Sequence, residues 1–210
     1  MKKLLLTLLF LVTLVGSIKY LTAKNKDSDT SVNYETKAIQ NSHERIIENA
    51  KIVQKVIESN SDYNSEIAFL IDMKIPSNRN RFFIYDLKSN KVLDQGLVAH
   101  GAGSETSDPD ILKFSNIENS LATSLGTYSI GNSYDGQFGK AYKMYGLEAT
   151  NSNAFKRYIV LHKYTEMPYE ETDKKICLSH GCPMVNEIFF NRLEKRIDDS
   201  PKKILMRIYY

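Results

Sequence analysis

The chain has 210 residues, of which 42% are hydrophobic and 25% charged, a balance that excludes collagen-like, mucin-like and low-complexity proteins and suits one globular domain plus an appendage. The formal charge of +3 comes from the amino terminus: residues 1–23 hold Lys2, Lys3 and Lys19 and no acid, and the remaining 187 residues carry 25 basic and 25 acidic side chains. A neutral body without clustered Lys and Arg argues against nucleic acid as a partner, because phosphate binding needs concentrated positive charge.

Lys2 and Lys3 precede an uncharged run from Leu4 to Gly16, with small residues at Gly16-Ser17 and at Ala23. Basic region, apolar core and cleavage zone in that order describe a signal peptide or amino-terminal anchor over 1–23, able to associate with a membrane. Lys19 interrupts the run short of the roughly 20 residues of a membrane span. The protein is therefore expected to be exported, to the periplasm or cell envelope. Residues 24–62 read as a polar spacer followed by an amphipathic helix. Ser42 is the expected cap of that helix, and Ile46, Ile47, Ala50, Val53, Val56 and Ile57 recur at three- and four-residue steps on one face.

From residue 63 to 210 the pattern is mainly β, expected as a sandwich or barrel of mixed sheets. Strands are predicted over Ile67–Met73, Arg81–Leu87 and Val92–Ala99, the last two joined by the turn Lys88-Ser89-Asn90-Lys91. Further strands are predicted at Gly126–Gly131, Tyr142–Leu147, Tyr158–His162 and Lys203–Tyr210, with one short helix from Asn186 to Asp198. The polar stretch Gly101–Asn119 reads as a long loop bordering a site.

Both cysteines and two of the four histidines fall between His162 and Cys182. Three chemistries suit this cluster. A Cys177–Cys182 disulfide would close a very short loop and so add little stability. A zinc site from His162, Cys177, His180 and Cys182 has the right ligand types, without paired CxxC knuckles. The third is a cysteine nucleophile: Gly181 lets the backbone turn sharply before Cys182, a helix starting soon after Pro183 would lower the thiol pKa, and His162 at a strand end can take the thiol proton.

His162 followed by Ser179-His180-Gly181-Cys182 resembles the active-site signature of the YkuD-type L,D-transpeptidases, a histidine and then [Ser/Thr]-x-Gly-Cys. Cys182-Pro183 and Ala99-His100-Gly101-Ala102-Gly103-Ser104 are similar to the murein L,D-transpeptidase catalytic-domain subgroup, and Thr123-Ser124-Leu125-Gly126-Thr127-Tyr128 resembles the family's strand entry. Lys163 stands where the family usually has Gly after the histidine. The resemblance implies a transpeptidase acting on peptidoglycan stem peptides, with Cys182 as nucleophile and His162 as its base. It also implies Gly181, Ser179 and His180 in the oxyanion and active-site loop, and His100 lining the cleft. Neither a cofactor nor a metal is implied, and a monomer is expected. The same residues leave open an L,D-carboxypeptidase that hydrolyses the same intermediate, or a non-catalytic wall-binding domain.

Overall fold

In the computed structural model, which describes residues 40–210, helix α1 (40–59) is followed by strands β1 (Tyr63–Asp72), β2 (Phe82–Asp86) and β3 (Lys91–Gly96). A 3-10 turn at Ala102–Ser104 leads to β4 (Gly126–Gly136), β5 (Gly139–Gly146), β6 (Val160–Lys163) and β7 (Met184–Val185), then helix α2 (Glu187–Asp198) and β8 (Lys203–Tyr209). The expected mainly β fold with a helix near each end is present, and its eight strands belong to one mixed sheet in the order β3-β2-β1-β8-β4-β5-β6-β7. The expected export segment over 1–23 and the spacer up to residue 39 lie outside the described residues. Among the described residues, no helix is long and apolar enough to cross a membrane.

Three neighbouring strands are apolar on both faces, because each face meets a different core. Phe69 and Ile71 of β1, Phe82 and Ile84 of β2, and Ile204, Met206 and Ile208 of β8 join one cluster with Phe189, Phe190 and Leu193 of α2. The alternating partners Ala68 and Leu70, Phe83 and Tyr85, and Leu205 and Tyr209 join a second cluster with Ile46, Ala50 and Val53 of α1. Period-two strands between two helical layers explain the near-continuous apolar runs in the sequence. Burying Ile46 and Val53 stabilises the α1 contact by about 1.5–3 kcal/mol each. Ser42 is already helical, so it is not the cap: the helix starts at or before residue 40.

Helix α2 is bounded as the sequence suggests. The Asn186 side chain accepts a hydrogen bond from the Ile188 N–H, Glu187 occupies the first turn, and Lys195 and Arg196 the last, matching the helix dipole. The Lys140 ammonium reaches Glu194 at 2.8 Å, and the Tyr142 hydroxyl donates to Asp198 at 2.7 Å, tying α2 to β5.

Two elements depart from the sequence reading. The β4–β5 hairpin runs past the expected ends to a tip at Gln137 and Phe138, and β7 pairs in parallel with β6 through His162↔Met184 and Lys163↔Val185. Strand β7 thereby fixes the chain that follows Cys182 against the strand that carries His162.

Candidate active site

His162 sits near the end of β6, and its Nδ1 donates to the Lys163 carbonyl at 3.0 Å. A carbonyl only accepts, so the proton is on Nδ1 and Nε2 is left free to take one. The Lys163 side chain turns away to Glu187, and its backbone supplies the carbonyl as glycine would. The imidazole stacks on Phe138 at the hairpin tip, with centroids 5.3 Å apart and planes 17° apart, and Phe138 meets the edge of Tyr164.

The Cys182 thiol donates to the Tyr158 carbonyl at 3.6 Å and accepts from the Val160 N–H at 3.5 Å. Both partners come from the run into β6, so the thiol and His162 are held by one short stretch of chain. Tyr158 has φ of 56° and is 83% exposed, a strained backbone position at the mouth of the site. A cleft of about 590 Å³ is lined by Cys182, His162, Ser179, His180, Phe138 and Arg157, among others.

Burial pushes the Cys182 thiol above its ordinary value, opposed by the Val160 N–H and the positive Arg157. The expected lowering by a helix amino terminus does not occur, because β7 intervenes and α2 starts only at Glu187. Burial also pushes the His162 imidazolium down, opposed by the Lys163 carbonyl. The resting pair is therefore a neutral thiol and a neutral imidazole.

The loop that carries Cys182 is clamped from behind. The Ala99 N–H donates to the Met184 carbonyl at 2.9 Å, the Ser179 N–H to the His100 carbonyl at 2.9 Å, and the Ala102 N–H to the Ser179 carbonyl at 2.8 Å. Gly181 has φ of 111°, and a Cβ there would stand 2.8 Å from the Ala122 carbonyl oxygen. A Cβ at Gly101 would stand 2.8 Å from the Gly181 nitrogen, so both glycines are required by close backbone approach. The Gly181 N–H donates to the Ser179 hydroxyl at 3.1 Å and is spent in stiffening the turn.

His100 lies outside this cleft, contrary to expectation. It is 4% exposed, its Nδ1 accepts from the Arg81 Nη2 at 3.0 Å and its Nε2 donates to Glu105 at 3.2 Å. Arg81, itself buried, also donates to the Val98 carbonyl from Nε at 3.0 Å and Nη2 at 2.8 Å. Both side chains line a separate cleft of about 460 Å³. Burial and the Arg81 charge press the His100 pKa down to about 4. His180 is exposed and lines the thiol cleft, and Cys177 lines it too while packing against Met167, Ile176 and Met184. Both cysteines are free thiols. The described side chains form no group of three metal-ligating residues.

A family model, L,D-transpeptidase catalytic domain of the YkuD type, matches residues 37–206. The chain belongs to the L,D-transpeptidase catalytic domain family. This L,D-transpeptidase domain is similar to the crystal structure of the helical cell shape determining protein Pgp2 from Campylobacter jejuni, with a TM-score of 0.45 and 13% identity over 68% of this chain and 47% of that one. It is similar also to the L,D-transpeptidase from Xylanimonas cellulosilytica, with a TM-score of 0.38 and 17% identity over 70% of this chain and 61% of that one. The chain thus spans about half the length of the first of these and less than two thirds of the second. No curated protein matches the chain. Phe138, Arg157 and Tyr158, which sequence reasoning missed, also line the thiol cleft of this L,D-transpeptidase domain. A Gly-flanked hairpin tip could have flagged Phe138, whereas nothing in the run Asn151–Tyr158 distinguishes Arg157 from a surface residue.

Proposed function

We propose that the protein is an exported murein L,D-transpeptidase in which Cys182 is the nucleophile and His162 its base. The observation that supports this most strongly is the pairing of an oriented imidazole with a half-buried thiol in one open cleft, with Nδ1 committed to the Lys163 carbonyl and Nε2 free. Cys182 Sγ attacks the carbonyl of the third residue of a peptidoglycan stem, and His162 Nε2 takes the thiol proton. The peptide C–N bond to the fourth residue breaks, that amine leaves as D-alanine with the proton from His162, and a thioester remains on Cys182. The acceptor amine of a second stem attacks the thioester, gives up a proton to His162 and forms the cross-link, regenerating the thiol. Water in place of that amine would give the carboxypeptidase outcome.

With the Gly181 N–H donated to Ser179, the N–H of Cys182 itself is the donor assigned to the developing oxyanion, and a single such donor is worth roughly 3–4 kcal/mol of barrier. Ser179 acts by holding the Gly181 turn, and His180, exposed in the cleft, meets substrate. Peptidoglycan is the partner, and the amino-terminal segment carries the domain to the envelope.

The test is release of D-alanine from a tetrapeptide stem. Wild-type protein is expected to release it, with a cross-linked dimer appearing when an acceptor stem is added, and Cys182→Ala to release none. Release by Cys182→Ala at the wild-type rate would overturn the reading. Free acid without dimer at any acceptor concentration would favour the carboxypeptidase. A protein that binds stems and releases nothing would be a wall-binding domain.

A further inference from the structure

The thiol cleft adjoins a smaller one of about 190 Å³, and Arg157, Tyr158 and His180 line both. Arg157 is the only arginine or lysine among the residues lining the larger cleft. Its guanidinium is held by four hydrogen bonds, from Nη1 to the Ser115 carbonyl at 2.9 Å and the Ser124 hydroxyl at 3.2 Å, and from Nη2 to the Ala122 carbonyl at 2.6 Å and the Ser120 hydroxyl at 3.3 Å. Every acceptor is neutral. Glu118, the acid of the smaller cleft, is engaged by Lys156. Glu166, the one carboxylate lining the larger cleft, exerts its charge on Tyr164 and Cys177, and among the described residues no Asp or Glu is paired with Arg157. The cation abuts the nucleophile loop: its Nη2 stands 3.3 Å from where a Cβ on Gly181 would lie.

A partly buried cation fixed in place and lacking a carboxylate partner is desolvated at a cost that an anionic ligand would offset. Those four bonds use its Nη hydrogens, so a carboxylate would meet the remaining Nε–H and the uncompensated charge, beside the residue before the thiol. In the reaction proposed above, the donor has one group of that kind close by: the free α-carboxylate of its last residue, about one residue step (~3.8 Å) beyond the attacked carbonyl.

We propose that Arg157 binds the terminal α-carboxylate of the donor peptide, so that the enzyme selects donors ending one residue after the attacked carbonyl. This inference rests on acyl transfer through Cys182. The carboxylate docks on the Arg157 guanidinium at the junction of the two clefts and carries the scissile carbonyl to the thiol. Amidated or extended donors lose this contact and leave the charge uncompensated. Arg157 is thus a specificity-determining residue.

The test uses two tetrapeptide donors that differ only in ending as α-carboxylate or α-carboxamide. Both deposit the same acyl group on Cys182, so intact mass follows one adduct at two rates. Wild-type protein is expected to acylate on the order of 100-fold faster with the acid. Arg157→Gln should lower the acid rate far more than the amide rate, so that the preference collapses, Arg157→Lys should retain part of the preference, and Ser120→Ala, which removes one neutral tether, should keep all of it. Equal wild-type rates for acid and amide would overturn the assignment while leaving acyl transfer standing, as would an Arg157→Gln that slows both donors equally, the mark of a purely structural role. Acylation by neither donor would sink the acyl-transfer reading and this assignment with it.

Discussion

At the residue scale, the ionisation states of two groups control the chemistry. Burial raises the Cys182 thiol and lowers the His162 imidazolium, so in the proposed reaction the proton would move from sulfur to Nε2 during attack rather than beforehand. Acidification removes the base by protonating His162, and because its pKa is depressed this loss begins below the ordinary value of 6.5. Alkalinity removes the proton that the leaving amine needs, above the ordinary thiol value of 9.0. The acylation rate is therefore expected to hold a broad plateau with limbs outside both values, and a pH profile with an acid limb above 6.5 would contradict it. His162→Ala should slow acylation by roughly 10²–10⁴-fold. Phe138→Ala, which frees the imidazole face at a half-exposed hairpin tip, should slow it about tenfold with little change in melting temperature. The sequence singled out His162 and Cys182 because their residue types and order resemble the family signature, and the fold places both on one cleft. Arg157 and Phe138 were not, because each acts through a turn whose position only the folded chain defines.

At the scale of elements, the site is a meeting of three short segments: the end of β6 with His162, the Ser179–Cys182 turn, and the Val98–Ala102 stretch behind it. The turn fails if Gly181 acquires a side chain. Gly181→Ala would force φ of 111° on a residue with a Cβ and bring that atom to 2.8 Å from the Ala122 carbonyl. A destabilisation of about 1–3 kcal/mol in urea unfolding, together with loss of acylation, is the expected result. Most elements could be read in advance: the near-continuous apolar runs of β1, β2 and β8 and the capped, amphipathic α2 carry strong signals. Strand β7 could not, since two residues show no period, and the β4–β5 extension could not, since its residues from Asn132 to Asp135 are all exposed and lack the alternation of a buried face.

At the scale of the molecule, the sheet stands between two helical layers, and one titrating network lies inside it. Phe189 of α2 packs edge-on to Phe82 at 5.2 Å and lies directly under Gly96, so Phe189→Ala should cost about 3–5 kcal/mol in denaturant unfolding. His100 is held neutral in the fold by burial and by the Arg81 cation, with its pKa pressed from 6.5 to about 4. The unfolded chain binds a proton below pH 6.5 that the folded chain refuses until about pH 4, so this group's contribution is complete above 6.5 and is lost as pH falls to about 4. Melting temperature should fall across that window, and His100→Asn, whose side-chain oxygen can still accept from Arg81, should flatten the fall. An unchanged slope in the variant would remove His100 from the account. His100 shows why a Gly-rich segment misleads: its glycines serve the backbone contact with the nucleophile turn, and the histidine between them turns inward to the Arg81 cation.

In the proposed reaction Cys182, and not Cys177, carries the acyl group. Intact mass after mixing with a tetrapeptide stem, followed by peptide mapping, tests it most directly. An adduct of the tripeptide acyl mass is expected on the peptide containing Cys182, absent in Cys182→Ala and retained in Cys177→Ala. An adduct mapped to Cys177, or neither adduct nor released D-alanine from the wild-type protein, would contradict it.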